Sequence, residues 1–193
     1  MDLLAEMLVQ LINKREIIRL HTSSRVIAAI PGSVKDVRNV REGKFCYPLL
    51  EQLVKYKVIV TTPVTAGRLV SVQFPQDHFT HVFIDESGQA TEPESVIAMA
   101  GLISTKGQVV MAGDPKQLGP VIRSSVGVKH GLNISLLERL MAMELYSKEY
   151  DKRCITKLVK NFRSHKELLT IPKALYYDNE LDACADEVGL FTV

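Results

Sequence analysis

The sequence predicts an α/β fold, a parallel sheet flanked by helices, on three observations. Short apolar, β-branched runs stop at prolines, glycines or acids: "KVIVTTP" (57–63), "HVFIDE" (81–86) and "GQVVMAGDPKQLGP" (107–120). Between the last two, "EPESVIAMAGLI" (92–103) reads as a helix with Pro93 at its first position. Continuous apolar runs separated by a helix are the pattern of parallel strands buried on both faces. Right-handed crossovers then set the strand ends at 62, 85 and 112 on one edge, where open α/β sheets bind ligands.

The remaining elements follow the chain. Leu3, Leu4, Met7, Leu8, Leu11 and Ile12 fall on one stripe of a helix over 3–12, with Asp2 as its cap. Residues 31–48 are polar and proline-bounded and read as an irregular insertion, drawn more widely as 21–48. "SLLE" (135–138) and "SHKE" (164–167) fit the Ser-x-x-Glu capping box and predict helices near 136–144 and 165–176. "ITKLVKNFR" (155–163) reads as a fourth strand that delivers Arg163 to a helix N-terminus.

Composition narrows the class. With 193 residues, 46% hydrophobic and 24% charged, the chain suits one globular domain, or one plus the start of another. No apolar run approaches the roughly 18 residues of a membrane span. The N-terminus lacks the basic start and small-residue cleavage site of a secretory signal. Three scattered cysteines, Cys46, Cys154 and Cys184, argue for a reducing compartment. His78 and His81 form an isolated H-x-x-H that reads as solvated loop histidines, not a ligand set. Net charge is only +2, but residues 1–60 carry ten Lys/Arg against six Asp/Glu, and residues 61–100 one against five. That asymmetry suits an anionic ligand beside a metal, but from charge alone an ordinary mixed surface is the favoured reading.

The chemistry gathers at the strand ends. Asp85 and Glu86 terminate an apolar strand, and side chains alternate along a strand, so they converge only if the backbone bends, as Ser87-Gly88 permits. Such a pair suits a magnesium ligand beside a residue that orients or deprotonates water, and also a strand end turning into solvent. The loop "AGDPKQL" (112–118) brings Gly113, Asp114, Lys116 and Gln117, and also fits a plain turn. Arg163 offers a guanidinium suited to phosphate oxygens.

"DESGQATEPES", "MAGDPKQLGPV", "SLLERL" and "LVKNFRSH" resemble motifs II, III and IV of superfamily-one RNA helicases of the up-frameshift type. "VTTPVTAGRLVSVQFPQDHFTHVFIDESGQATEPES", with "YYDNELDACAD" near the end, resembles their Armitage branch, cytoplasmic RNA helicases of RNA silencing and antiviral defence. The resemblance runs from about residue 49 onward. It implies a RecA-like P-loop NTPase fold, with residues 1–160 as the later part of lobe one and 161–193 as the start of lobe two. ATP and Mg2+ are the implied cofactors and single-stranded RNA the implied partner, with RNA-silencing proteins and P-bodies or other granules in prospect. Asp85 would hold the magnesium, Glu86 would activate water, Gln117 would sense the γ-phosphate and Arg163 would be the arginine finger. Gly113 and Asp114 complete the nucleotide loop. Thr61, Thr62 and Pro63 would touch the RNA backbone, with Arg68 beside them.

One departure is plain: the sequence contains no G-x-x-x-x-G-K-[ST], the loop that cradles phosphates, and no motifs V and VI. The fold is therefore expected to be incomplete, with a sheet edge and apolar surface uncovered. The chain reads as an internal slice of a helicase that does not turn over ATP by itself. The alternatives are a short, inactive RNA- or partner-binding module and, more remotely, a metal-dependent nuclease.

Overall fold

Isoleucine and valine build the first of three parallel strand pairs among the described residues, Ile17–Arg19 beside Val58–Val60. The computed structural model describes residues 1–147 and 151–185 and separates into two units, Met1–Glu138 and Arg139–Val193. In chain order the elements begin with α1 (Asp2–Leu11), β1 (Ile17–Arg19) and 3-10 turns at Ile27–Ala29 and Gly32–Val37. Next come β2 (Val40–Arg41), β3 (Lys44–Phe45), α2 (Leu50–Leu53), β4 (Val58–Val60), α3 (Pro63–Ser71), β5 (Phe79–Ile84), α4 (Glu92–Met99) and β6 (Ile103–Met111). α5 (Ser125–Lys129), α6 (Leu136–Met141), α7 (Glu144–Ser147), β7 (Lys160–Asn161), α8 (Lys166–Tyr176) and β8 (Asp182–Ala183) complete the described chain.

The two-residue alternation of a strand explains how β1 and β4 are covered on both sides. Ile17 and Val60 turn into one cluster with Ala5 of α1 and Val34 and Val37 of the 3-10 turn. Ile18 turns the opposite way, into a cluster with Ala66 and Leu69 of α3, Ala98 of α4 and Ile84 of β5. Each such aliphatic side chain contributes about 1.5–3 kcal/mol on full burial. The second parallel pair, β5 and β6, joins the core through Ile84, whose register partner is Met111. Its other face is open: Phe83 is 71% exposed and its register partner Val110 41%. Burial on both faces therefore holds for β1 and β4 and fails for β5 and β6, because no described element covers that second face.

Several expectations are corrected. The N-terminal stripe is rotated: Leu8 and Ile12 pack inward as expected, joined by Ala5 and Val9, while Leu3, Leu4, Met7 and Leu11 are exposed. Asp2 does not cap α1; its carboxylate instead binds the buried Arg19 (2.9 Å) and Arg25 (3.1 Å). Burial pushes the Asp2 carboxyl up, but the Arg19 hydrogen bond and charge outweigh it and hold the group below its ordinary range. Strand β1 was not anticipated; it lies beyond the helix expected over 3–12. The insertion at 31–48 is ordered: β2 and β3 form an antiparallel hairpin with Val40 opposite Phe45. His78 lies in the loop before β5 but is not freely solvated, for its ring packs edge-on against Phe74 and Phe79, and Nε2 meets the Tyr56 carbonyl at 3.0 Å. Pro93 stands second in α4, after Glu92, with Thr91 as the cap.

In the second unit the strand expected over 155–163 shrinks to β7, paired in parallel with β8. The cap of α8 is His165, whose Nδ1 accepts from the Glu167 N–H at 3.3 Å, in place of Ser164. Asp186, the last residue of "YYDNELDACAD", lies outside the described residues.

Candidate functional site

Strand β5 ends at Ile84, and a turn carries the two acids. Glu86 takes φ +54°, a left-handed conformation unusual for a residue with a side chain, so the backbone bends at the second acid. The turn is closed locally. The Glu86 N–H donates to Asp85 Oδ1 at 3.1 Å, and the Gln89 N–H donates to the Glu86 carbonyl at 2.9 Å. Gln89 Nε2 also donates to Glu86 Oε2 at 3.3 Å. Both carboxylates are exposed.

What sets this turn in space is a backbone lock with the loop after β6. Ser87, fully buried, donates from both its N–H and its Oγ to the Ala112 carbonyl, each at 2.9 Å. Ala112 N–H in turn donates to the Ile84 carbonyl at 2.8 Å, extending the β5–β6 ladder by one rung. Beyond it two glycines meet. A Cβ on Gly113 would stand 2.9 Å from the Gly88 nitrogen and 3.1 Å from that of Ser87. One on Gly88 would stand 3.0 Å from the Asp114 carbonyl oxygen. Side chains at either position would push the loops apart.

Asp114 organises the second loop, its Oδ1 accepting from the Lys116 N–H at 2.9 Å and its Oδ2 from Gln117 Nε2 at 3.1 Å. Thus Asp85, Glu86, Gly113, Asp114 and Gln117 occupy two adjoining loops at the C-terminal ends of paired parallel strands. Arg163 belongs to the second unit, where Asn161 Oδ1 accepts its N–H at 2.9 Å just past β7. Ser87 as a clamp was not anticipated, although small residues facing each other across two loops were its visible signal.

The other candidates are partly engaged. Thr61 Oγ1 donates to the Leu20 carbonyl at 3.2 Å, and Thr62 Oγ1 to Thr65 Oγ1 at 2.9 Å. Pro63 opens α3, and the Arg68 guanidinium lies 5.1 Å from the centre of the Tyr47 ring, a cation–π contact.

Among the described residues no group of three or more His, Cys, Asp or Glu could cage a metal ion. That donor set still fits magnesium, which keeps several waters and binds through one or two carboxylates together with substrate phosphates. Asp85 and Glu86, exposed and without an ion pair among the described residues, offer that number of carboxylates.

Parallel strands with Asp-Glu after one and Gly-Asp-Pro-Lys-Gln after its neighbour define the RecA-like class of α/β nucleotide-binding folds. The AAA domain family matches residues 33–125. The mov-10-B.1 protein of Danio rerio is 50% identical over 195 residues, covering 97% of this chain and 19% of its own length. The RNA helicase Mov10l1 of Homo sapiens is 44% identical over 141 residues, 68% of this chain and 12% of its own. The armi protein of Drosophila melanogaster is 37% identical over 135 residues, 65% of this chain and 11% of its own. The chain belongs to the superfamily-one, up-frameshift-like RNA helicases, on the Armitage-type branch. It spans about a fifth of the length of the first of these relatives.

Proposed function

We propose that this chain carries the metal-and-water half of the ATPase site of an RNA helicase, part of a motor that couples ATP hydrolysis to movement on RNA. The observation that supports this most is the Ser87–Ala112 and Gly88–Gly113 lock, which holds two acids and a Gln-bearing loop side by side. Magnesium–ATP, when bound, supplies the phosphoryl group. Asp85 holds the metal, Glu86 accepts the proton of the attacking water, and Gln117, steadied by Asp114, bonds the terminal phosphate. Arg163 serves as the arginine finger. Thr61, Thr62, Pro63 and Arg68 touch the RNA backbone without reading sequence. The wider role, in RNA silencing or antiviral RNA control in cytoplasmic granules, rests on the resemblance to the Armitage branch; the names of the relatives extend only to RNA helicase. Among the described residues no helix is long and apolar enough to cross a membrane.

A second reading, an RNA- or partner-binding module without turnover, draws on the lack of a phosphate-cradling loop in this sequence. The isolated chain is accordingly expected to show no RNA-stimulated ATP hydrolysis; turnover that vanishes in Glu86→Gln would overturn that expectation. The role of Glu86 is tested by substituting these residues for the matching segment of mov-10-B.1. There Glu86→Gln should lower kcat by at least about 100-fold while RNA binding is kept. An unchanged kcat refutes the assignment.

A further inference from the structure

A cleft of about 660 Å3 opens beside β1, lined by the segment after α1, by residues 35–41 and by residues 46–49. Its charge is one-sided. Lys14, Arg15, Lys35, Arg38 and Arg41 all line it, against Asp36 as the sole carboxylate. Asp36 is already taken by Lys14, at 2.8 Å. The Lys14 hydrogen bond and charge hold its carboxyl below the ordinary range, so it stays ionised on that partner. No ion pair among the described residues engages the other four cations.

The wall is built, not frayed. Asn39, 5% exposed, accepts the His21 N–H on Oδ1 at 2.7 Å and donates from Nδ2 to the His21 carbonyl at 3.2 Å. Its own N–H donates to the Arg19 carbonyl at 3.3 Å, and its carbonyl accepts the Cys46 N–H at 2.9 Å. The β2–β3 hairpin is thereby stapled to β1, with Arg38 and Arg41 on either side of the staple. Two polar atoms of the lining residues, Arg38 Nε and Tyr47 Oη, are buried without a hydrogen-bond partner. Burial pushes the Tyr47 hydroxyl up, so it remains a donor at neutral pH.

Unspent cations on a fixed wall suit a ligand rich in anionic acceptor oxygens, which is the chemistry of a phosphodiester. By contrast, the hydroxyls of Thr61 and Thr62 are already donating within the protein. We propose that this cleft is a second binding surface for the RNA backbone, distinct from the Thr61–Arg68 segment; the choice of RNA as occupant rests on the helicase reading above.

The test is anisotropy of a labelled uniform single-stranded RNA, titrated with the full chain over a range of salt. The double variant Lys35→Ala/Arg41→Ala alters two exposed side chains and spares the Asn39 staple; the control Lys106→Ala/Lys129→Ala removes the same two charges from exposed residues that do not line the cleft. The double variant should bind about tenfold more weakly than the control. Its slope of log affinity against log salt should fall by about 1.4, at roughly 0.7 for each single-strand phosphate that is no longer neutralised. Wild-type binding with Lys35→Ala/Arg41→Ala matching the Lys106→Ala/Lys129→Ala control overturns the cleft and leaves the helicase reading standing. No RNA binding by the wild type refutes the RNA contacts of that reading as well. Displacement of RNA by polyglutamate as effective as by unlabelled RNA shows a general acid-binding surface and also overturns the proposal.

Discussion

Gly113→Ala is the sharpest probe of how the site is held. The added Cβ would meet the Gly88 nitrogen at 2.9 Å, the Ser87 nitrogen at 3.1 Å and Leu137 Cδ2 at 3.1 Å. Two of those neighbours are backbone, and Ser87 is pinned to the Ala112 carbonyl by two bonds of 2.9 Å. Relief requires the loops to part by some tenths of an ångström, which stretches both bonds. Overpacking of this kind costs about 1–3 kcal/mol. Each hydrogen bond weakened adds up to about 1 kcal/mol. A net loss of about 2 kcal/mol should lower the urea midpoint by about 1 M, taking m as roughly 2 kcal/mol/M. Gly32→Ala is the matched control, since a Cβ there meets nothing within 4 Å and Gly32 does not have positive φ. It should be neutral or stabilising by up to about 1 kcal/mol. Urea unfolding followed by circular dichroism decides the matter. Equal midpoints for the two variants would refute the backbone lock.

Two further outcomes concern the same unit. His21, 3% exposed, is pushed down to about 4 from 6.5 by burial and then by the Arg19 charge, so folding favours its neutral form. The unfolded chain binds the proton first, and stability present above pH 6.5 is lost as pH falls towards 4, by about 3 kcal/mol at roughly 1.4 kcal/mol per pH unit. Urea midpoints across that range should show the decline in wild type and a much flatter profile in His21→Gln. Thr91 caps α4 reciprocally with Glu94. Thr91→Ala should cost about 1 kcal/mol by the same assay, and Thr91→Ser should restore most of it.

The parallel strands, the helix between them and the acid-bearing turn were legible because each has a local signature. Val58–Val60 and the run ending at Ile84 are β-branched and stop at turn residues, and Thr91 to Glu94 spells its own cap. What failed depended on tertiary partners. Leu3, Met7 and Leu11 make as good a helical stripe as Ala5, Leu8 and Ile12, and periodicity cannot say which side meets β1. Asp2 looked like a cap because nothing local reveals that Arg19, seventeen positions on, would claim its carboxylate. Three-residue β1 is too short to carry a periodic signature of its own. The hairpin at 40–45 has φ of +49° at Glu42 and +72° at Gly43, a turn in which only the glycine announced itself.

The candidate site separates its chemistry from its scaffold. Asp85 and Glu86 are exposed, and the hydrogen bonds of their side chains reach only Glu86 N–H and Gln89 within the same turn. Little else in the unit leans on them, so Glu86→Gln can remove a proton acceptor without loosening the fold. The position of the turn comes from groups that carry no charge: the Ser87 hydroxyl and N–H, the Ala112 carbonyl and two glycines whose missing side chains let the loops touch. Gln117 reaches the same lock through Asp114, whose carbonyl oxygen is the atom nearest the vacant Cβ position of Gly88. A loss of turnover in Glu86→Gln and a loss of stability in Gly113→Ala should therefore occur independently. If Glu86→Gln unfolded the chain, or Gly113→Ala left the midpoint untouched, the division between acids that react and a backbone that positions them would be wrong.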